Sequence, residues 1–273
     1  MNIKSLLIVA ICFFFYACNK NNSPNNPTSV TPYSKILIKW PGSPNDSLEY
    51  IFAYDASNKL QKMTTNGRKF GSTDVTHDTI VITRDASGYI TNVGNPSDPT
   101  ILRIGYDPAS GHYTYRTYGD PLEYRDSIVY EYTGDKITRE LNYKFSGSGF
   151  WLPNKFDYTY DNSGNINTVV VYDTVVTAHF SVLISKNTYT LDTEVNALPL
   201  NNEEIVIFSR ALGRQYFQFI GPNNPLTNIF WDSYGNVYNT ITHSYSYNAD
   251  NTLSSATGTE VPSGAPFIVN YYY

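Results

Sequence analysis

The stretch Phe156-Asp157-Tyr158-Thr159-Tyr160-Asp161-Asn162-Ser163-Gly164-Asn165-Ile166-Asn167-Thr168-Val169-Val170-Val171-Tyr172 reads as one complete β-hairpin. Its arms are aromatic and β-branched, the side chains that fit a pleated, half-buried surface. Between them, the Asp161 carboxylate can accept hydrogen bonds from amides just ahead of it and start the turn. Gly164 supplies the left-handed backbone that closes the longer hairpin loops.

The same grammar recurs along the chain: an aromatic, then Asp or Asn, two small or polar residues, Gly or Asn, one residue, and an aliphatic. Tyr54-Asp55-Ala56-Ser57-Asn58-Lys59-Leu60 is one copy, and Arg84-Asp85-Ala86-Ser87-Gly88-Tyr89-Ile90 repeats it without the aromatic. Trp231-Asp232-Ser233-Tyr234-Gly235-Asn236-Val237 and Tyr247-Asn248-Ala249-Asp250-Asn251-Thr252-Leu253 follow. Looser versions begin at Tyr106-Asp107 and Tyr132-Thr133-Gly134-Asp135. Their spacing is uneven, which excludes a solenoid of fixed period. The expectation is an all-β fold: a long antiparallel meander over residues 34–273, forming a twisted, curled open sheet. No helix is expected. Ile205-Val206-Ile207-Phe208 and Tyr216-Phe217-Gln218-Phe219-Ile220 read as strands, with Glu203-Glu204 at the wet start of the first. A transmembrane barrel, which needs strands of ~10 residues with an apolar lipid face, is not expected.

The N-terminus carries an address. Lys4 precedes an apolar run from Leu6 to Phe15, which ends at Tyr16-Ala17-Cys18. A positive start, a short apolar core and a small residue at the cut make a secretory signal, here residues 1–17. The run falls short of the ~20 residues of a membrane-spanning helix. Phe15-Tyr16-Ala17-Cys18 resembles the lipobox of bacterial lipoproteins, which implies lipid attachment at Cys18. Residues 18–33 are rich in Asn, Ser, Thr and Pro and read as a disordered tether. The expected placement is the cell envelope, lipid-anchored in the outer membrane.

Composition narrows the function classes. The formal net charge is −5, and no Lys/Arg run appears, so nucleic acid is not an expected partner. Cys18 is the one cysteine left once the leader is removed, so neither a disulfide framework nor a thiolate metal site is expected. His77, His112, His179 and His243 are scattered, which argues against a metal site. Asp161 to Asn165 offers oxygen ligands at close spacing, but lacks the alternating acids of a calcium loop. No nucleophile elbow, phosphate loop or dinucleotide fingerprint is present, and no cofactor is expected. A carboxylate pair for glycan hydrolysis stays open as an alternative.

Aromatics are the richest raw material, with 25 Tyr against 2 Met pointing to strands rather than helices. Trp40, Trp151 and Trp231, with Tyr113, Tyr115 and Tyr118, are the candidate stacking platforms for a glycan or an envelope protein. Their bland alternative is cross-strand packing.

The motif around Tyr160-Asp161-Asn162-Ser163-Gly164 resembles the YD repeats of Rhs-type proteins. Over residues 34–273 the chain resembles the uncharacterised Bacteroidetes lipoproteins with scattered YD-like hairpins, the DUF4595-like group. The resemblance implies hairpin architecture and envelope attachment, and it supplies no catalytic residue. The function expected is thus non-catalytic binding of a glycan or protein partner, with a purely structural envelope role as a further alternative.

Overall fold

A computed structural model describes residues 32–68, 71–94, 103–118, 126–146, 149–175, 180–195, 203–208, 223–250, 252–262 and 264–273. The strands are β1 (Lys35–Lys39), β2 (Ser47–Tyr54), β3 (Leu60–Arg68), β4 (Val75–Arg84), β5 (Ile90–Gly94), β6 (Arg103–Tyr106), β7 (Tyr113–Tyr118) and β8 (Asp126–Thr133). They continue as β9 (Lys136–Ser146), β10 (Gly149–Tyr160), β11 (Ile166–Val175), β12 (Phe180–Val195), β13 (Asn223–Asp232), β14 (Val237–Tyr247), β15 (Leu253–Val261) and β16 (Ala265–Tyr272). Each strand pairs antiparallel with the next in sequence, as a meander should. The expected open, curled sheet is nevertheless corrected: β1 also pairs with β16, placing Ile36 opposite Tyr271 and Ile38 opposite Val269, and the sheet is a closed barrel of sixteen strands. Closure removes the two unpaired edges that an open sheet would present.

The repeated turns form as their chemistry dictates. The Oδ1 atoms of Asp55, Asp85, Asp161 and Asp232 each accept the amides two and four residues on, at 2.8–3.0 Å. The fourth turn position is left-handed each time: Asn58 at φ 58°, Gly88 at 85°, Gly164 at 88° and Gly235 at 82°. Pair register shifts at the residue before the Asp, giving a bulge at Tyr54, Arg84, Tyr160 and Trp231. A bulge re-aims the side chain that it carries. Here it helps the motif tyrosine to reach its neighbour. Tyr54 Oη donates to the Tyr33 carbonyl, Tyr106 to Asp85 Oδ2 of the preceding turn, Tyr160 to the Ile137 carbonyl and Tyr247 to Asp192 Oδ2. The tyrosines therefore latch hairpin to hairpin around one rim.

Most motif turns lie at that rim. The β2–β3, β4–β5, β6–β7, β8–β9, β10–β11 and β14–β15 connections share one end of the barrel, which we call the turn-rich end. Only the Asp232 turn, between β13 and β14, lies at the opposite end. The chain also enters and leaves at the turn-rich end. There Tyr33, the last residue of the expected tether, is buried against Tyr271 and Tyr273.

Alternation along the strands separates two walls. Ile36, Ile38, Leu48, Tyr50, Phe52, Met63, Ile82, Ile104, Ile128, Tyr130, Tyr158, Val169, Phe230 and Val269 lie on one buried face, the inner wall. The outer wall carries Lys35, Lys39, Glu49, Lys62, Thr64, Glu131, Arg139, Asp157, Lys186, Thr242, Ser244 and Thr259. Sixteen-stranded barrels that cross membranes enclose an aqueous channel and turn an apolar band outward. In this barrel the described inner wall is mainly apolar, and the outer wall mixes charged and hydroxyl side chains with exposed Ile51, Val75, Tyr115, Val261, Ile268 and Tyr272.

A second correction concerns Glu203–Phe208, which is a short helix, α1, rather than a strand. A brief apolar run does not distinguish a strand from a buried helix by periodicity. Ile205, Val206 and Ile207 are buried. Tyr216–Ile220 lies outside the described residues, as do residues 1–17, Cys18 and most of the expected tether.

Candidate functional site

The inner wall carries two polar constellations. The first, at the turn-rich end, is built by Arg84 at the end of β4, Tyr113 and Arg116 on β7, and Glu203 of α1. Arg84 grips Glu203 with both ends of its guanidinium, Nη1 to Oε1 at 2.7 Å and Nη2 to Oε2 at 2.6 Å. Tyr113 Oη donates to Glu203 Oε1 at 3.1 Å and accepts the Ile90 amide. Arg116 Nη1 donates to the Val206 carbonyl at 2.9 Å. Burial works against the Arg84 charge, but the hydrogen bonds and charge of Glu203 outweigh it and raise its pKa. Burial, then the nearby Glu203 charge, pushes the Tyr113 phenol above its ordinary range. These bonds fasten α1 into the barrel interior, while Arg84 Nε and Arg116 Nε are buried without a partner. Glu203 is therefore an anchor inside the lumen, not the wet start of a strand.

The second constellation lies on β12–β15, toward the opposite end. Phe230 of β13 stands opposite Asn187 of β12 and Asn239 of β14, and Asn228 precedes it on the same face. Three amides therefore neighbour one aromatic residue on the inner wall. Asn239 Nδ2 donates to Glu260 Oε1 at 2.6 Å. Asn239 Oδ1 and both amide atoms of Asn228 are buried without a hydrogen-bond partner, and so is His243 Nδ1 further along β14. Burial holds the His243 pKa down at about 4, so its ring is neutral at physiological pH. No Lys or Arg is among the described residues of this second constellation; the buried Arg116 belongs to the first.

The six aromatic candidates do not converge. Tyr113 faces inward and serves the α1 anchor. Tyr115 faces outward, 44% exposed, with its ring over Gly105 on β6. Trp231 lies on the outer wall, where Nε1 donates to Thr188 Oγ1. Trp40 sits in the β1–β2 connection, half-buried. Tyr118 on β7 and Trp151 on β10 have strand backbones, and their side chains lie outside the described residues. Asp161, weighed as a calcium ligand, spends its oxygens on the Ser163 and Asn165 amides and the Asn165 side chain. His77 bonds Asn66 on the outer wall, His112 stacks on Tyr132, and His179 lies outside the described residues. Among the described residues no group of three His, Cys, Asp or Glu could hold a metal ion.

Sequence reasoning missed Arg84, Arg116 and the amide cluster. The β13 segment Asn228-Ile229-Phe230-Trp231 hid the last, because Ile229 and Trp231, which look like core residues, are the outward pair.

No family model matches this chain, and no curated protein matches it. Its fold has solved counterparts. A porin-like protein from Bacteroides uniformis superposes with a TM-score of 0.54 at 16% identity, over 89% of this chain and 98% of that one. A porin-like protein from Bacteroides vulgatus gives a TM-score of 0.51 at 12% identity, over 89% and 99%. Such identities carry the fold alone.

Proposed function

We propose that this chain is a non-catalytic, envelope-anchored lipoprotein whose barrel stands in water and binds a glycan or an envelope protein. The observation that carries this reading is the polarity of the walls. Charged and hydroxyl side chains are spread over the described outer wall and interrupt its exposed Ile51, Ile268 and Tyr272, whereas a lipid-facing wall would carry a continuous apolar band. The two porin-like Bacteroides structures of similar fold support an envelope setting. In this chain the inner wall is lined by buried apolar side chains and holds α1, which speaks against an aqueous pore. Attachment through lipid on Cys18 and a tether explains how such a barrel would stay at a membrane. One acyl chain holds only marginally, and the two or three chains of a lipoprotein hold firmly. The chain enters the barrel at the turn-rich end, so the amide end is clear of the attachment point.

Labelled palmitate, supplied to cells that express wild type and Cys18→Ser, tests the anchor. Wild type is expected to be labelled and Cys18→Ser unlabelled, and equal labelling would sink the anchor. Capture experiments with wild type against envelope extracts and a polysaccharide panel test the binding role. Finding no partner above background in either would leave the structural alternative standing.

A further inference from the structure

We propose that α1 is a buckle across the least-paired seam of the barrel, between β5 and β6, and that the wall parts there when Glu203 is released. The inference goes beyond the binding role above and does not depend on it. It starts from strand register. Asn92 of β5 stands opposite Arg103 of β6, and among the described residues no other pair joins these two strands. Every other neighbouring pair of strands shares four pairs or more. The two strands are also short, at five and four residues. On its other side β5 is joined to β4 through an irregular register, in which Arg84 meets Ile90 and Thr83 meets Asn92. Strands are held side by side by their backbone ladder, and the parts of a fold with the fewest such bonds open at the lowest free energy.

Side chains take over where that ladder stops. The Ile90 amide of β5 donates to Tyr113 Oη at 3.1 Å, a group that reaches it from β7, with β6 lying between. The same hydroxyl donates to Glu203 Oε1 of α1. On the near side of the seam, Arg84 of β4 holds both oxygens of Glu203 and also the Gly88 carbonyl of the β4–β5 turn, the last at 3.1 Å. On the far side, Arg116 of β7 holds the Val206 carbonyl of α1. The helix is thus tied to β4 on one side and to β7 on the other. Among the described residues it is the one element that is not a strand, and it spans the place where the strands are least paired. A second tie crosses at the rim, where Tyr106 Oη donates to Asp85 Oδ2 and the Tyr89 and Tyr106 rings stack at 4.1 Å. Elsewhere in the sheet one lost side chain leaves a full ladder behind. Here the loss of Glu203 leaves one backbone pair and the rim latch.

The test is amide hydrogen exchange of the purified full-length protein, read by mass spectrometry in wild type, Glu203→Ala and Tyr113→Phe. Tyr113→Phe keeps the ring and removes the hydroxyl that joins Ile90 to Glu203. In both variants the amides of β5 and β6 should exchange about tenfold faster than in wild type, while those of β11 keep their protection. The β6 amides are the decisive ones, because the Tyr113 hydroxyl touches none of the hydrogen bonds recorded for that strand. Acceleration confined to the Ile90 amide, with β6 unchanged, would overturn the buckle. So would equal acceleration in β5, β6 and β11, which would mean that Glu203 supports the whole barrel rather than one seam. Fast exchange at the seam already in wild type, unaltered by either variant, would also overturn it. Where Glu203→Ala does not fold, as read by its melting curve, Tyr113→Phe decides alone: faster β6 exchange supports the buckle and unchanged exchange overturns it.

Discussion

The two ends of the barrel are built from the same alternating strands yet do opposite things with polar groups. At the turn-rich end most of the described polar side chains bond one another, although Arg84 Nε and Arg116 Nε are buried without a partner. Aspartates cap turns, tyrosines latch neighbouring hairpins, and Arg84 holds Glu203. At the other end Asn228 and Asn239 are buried with amide atoms unspent. The difference teaches how polar groups are spent in this fold: an ion pair and tyrosine latches tie together the end through which the chain enters, whereas Asn228 and Asn239 keep amide atoms without a partner in the chain.

The largest expected effect breaks the satisfied end. Arg84→Met leaves the Glu203 carboxylate largely buried without its cation, which costs about 3–5 kcal/mol when a buried pair loses one partner. Chemical denaturation should show that loss, and Arg84→Met combined with Glu203→Leu should recover most of it. A double variant as unstable as the single one would mean that the anchor is not the reason for the pairing.

Next comes His243, which lies between the two ends. Its folded pKa of about 4 is below the ordinary value of 6.5. The unfolded chain therefore binds a proton that the folded barrel refuses. Its contribution is complete above pH 6.5 and is lost as pH falls toward 4, by on the order of 3 kcal/mol. His243→Gln should flatten the stability profile in that window. An unchanged slope would show that the ring is not held neutral by the fold.

The smallest effect compares turns. Asp55→Ala removes the acceptor for the Ser57 and Lys59 amides in an exposed loop and should cost about 1 kcal/mol. Asp85→Ala also strips the Tyr106 latch and should cost more. That hydrogen bond from Tyr106, then those of the turn amides, keeps the Asp85 carboxyl below its usual range, so acid should weaken this rim. Equal losses at the two sites would mean that the latch adds nothing.

How much of this was legible beforehand follows from sequence distance. The Asp–Gly turns are local, so Asp55, Asp85, Asp161 and Asp232 announced themselves, and with them the antiparallel meander. Closure depends on Ser34 and β1 meeting Tyr272 and β16, 238 residues away for the Ser34 to Tyr272 bond, and no local pattern encodes that. The helix was lost because Ile205-Val206-Ile207 is apolar without periodicity. The amide cluster was lost because the fold points Asn228 inward and Trp231 outward, against the order that hydrophobicity alone suggests.

The central claim is that this barrel stands in water on a tether and is not embedded in lipid. Protease treatment of isolated membranes, cutting within the Asn/Ser/Pro-rich residues 19–32, tests it most directly. The account predicts that a fragment beginning near Tyr33 is released into the supernatant and remains monodisperse and folded without detergent. A fragment that is cut yet stays in the membrane pellet until detergent is added would contradict it.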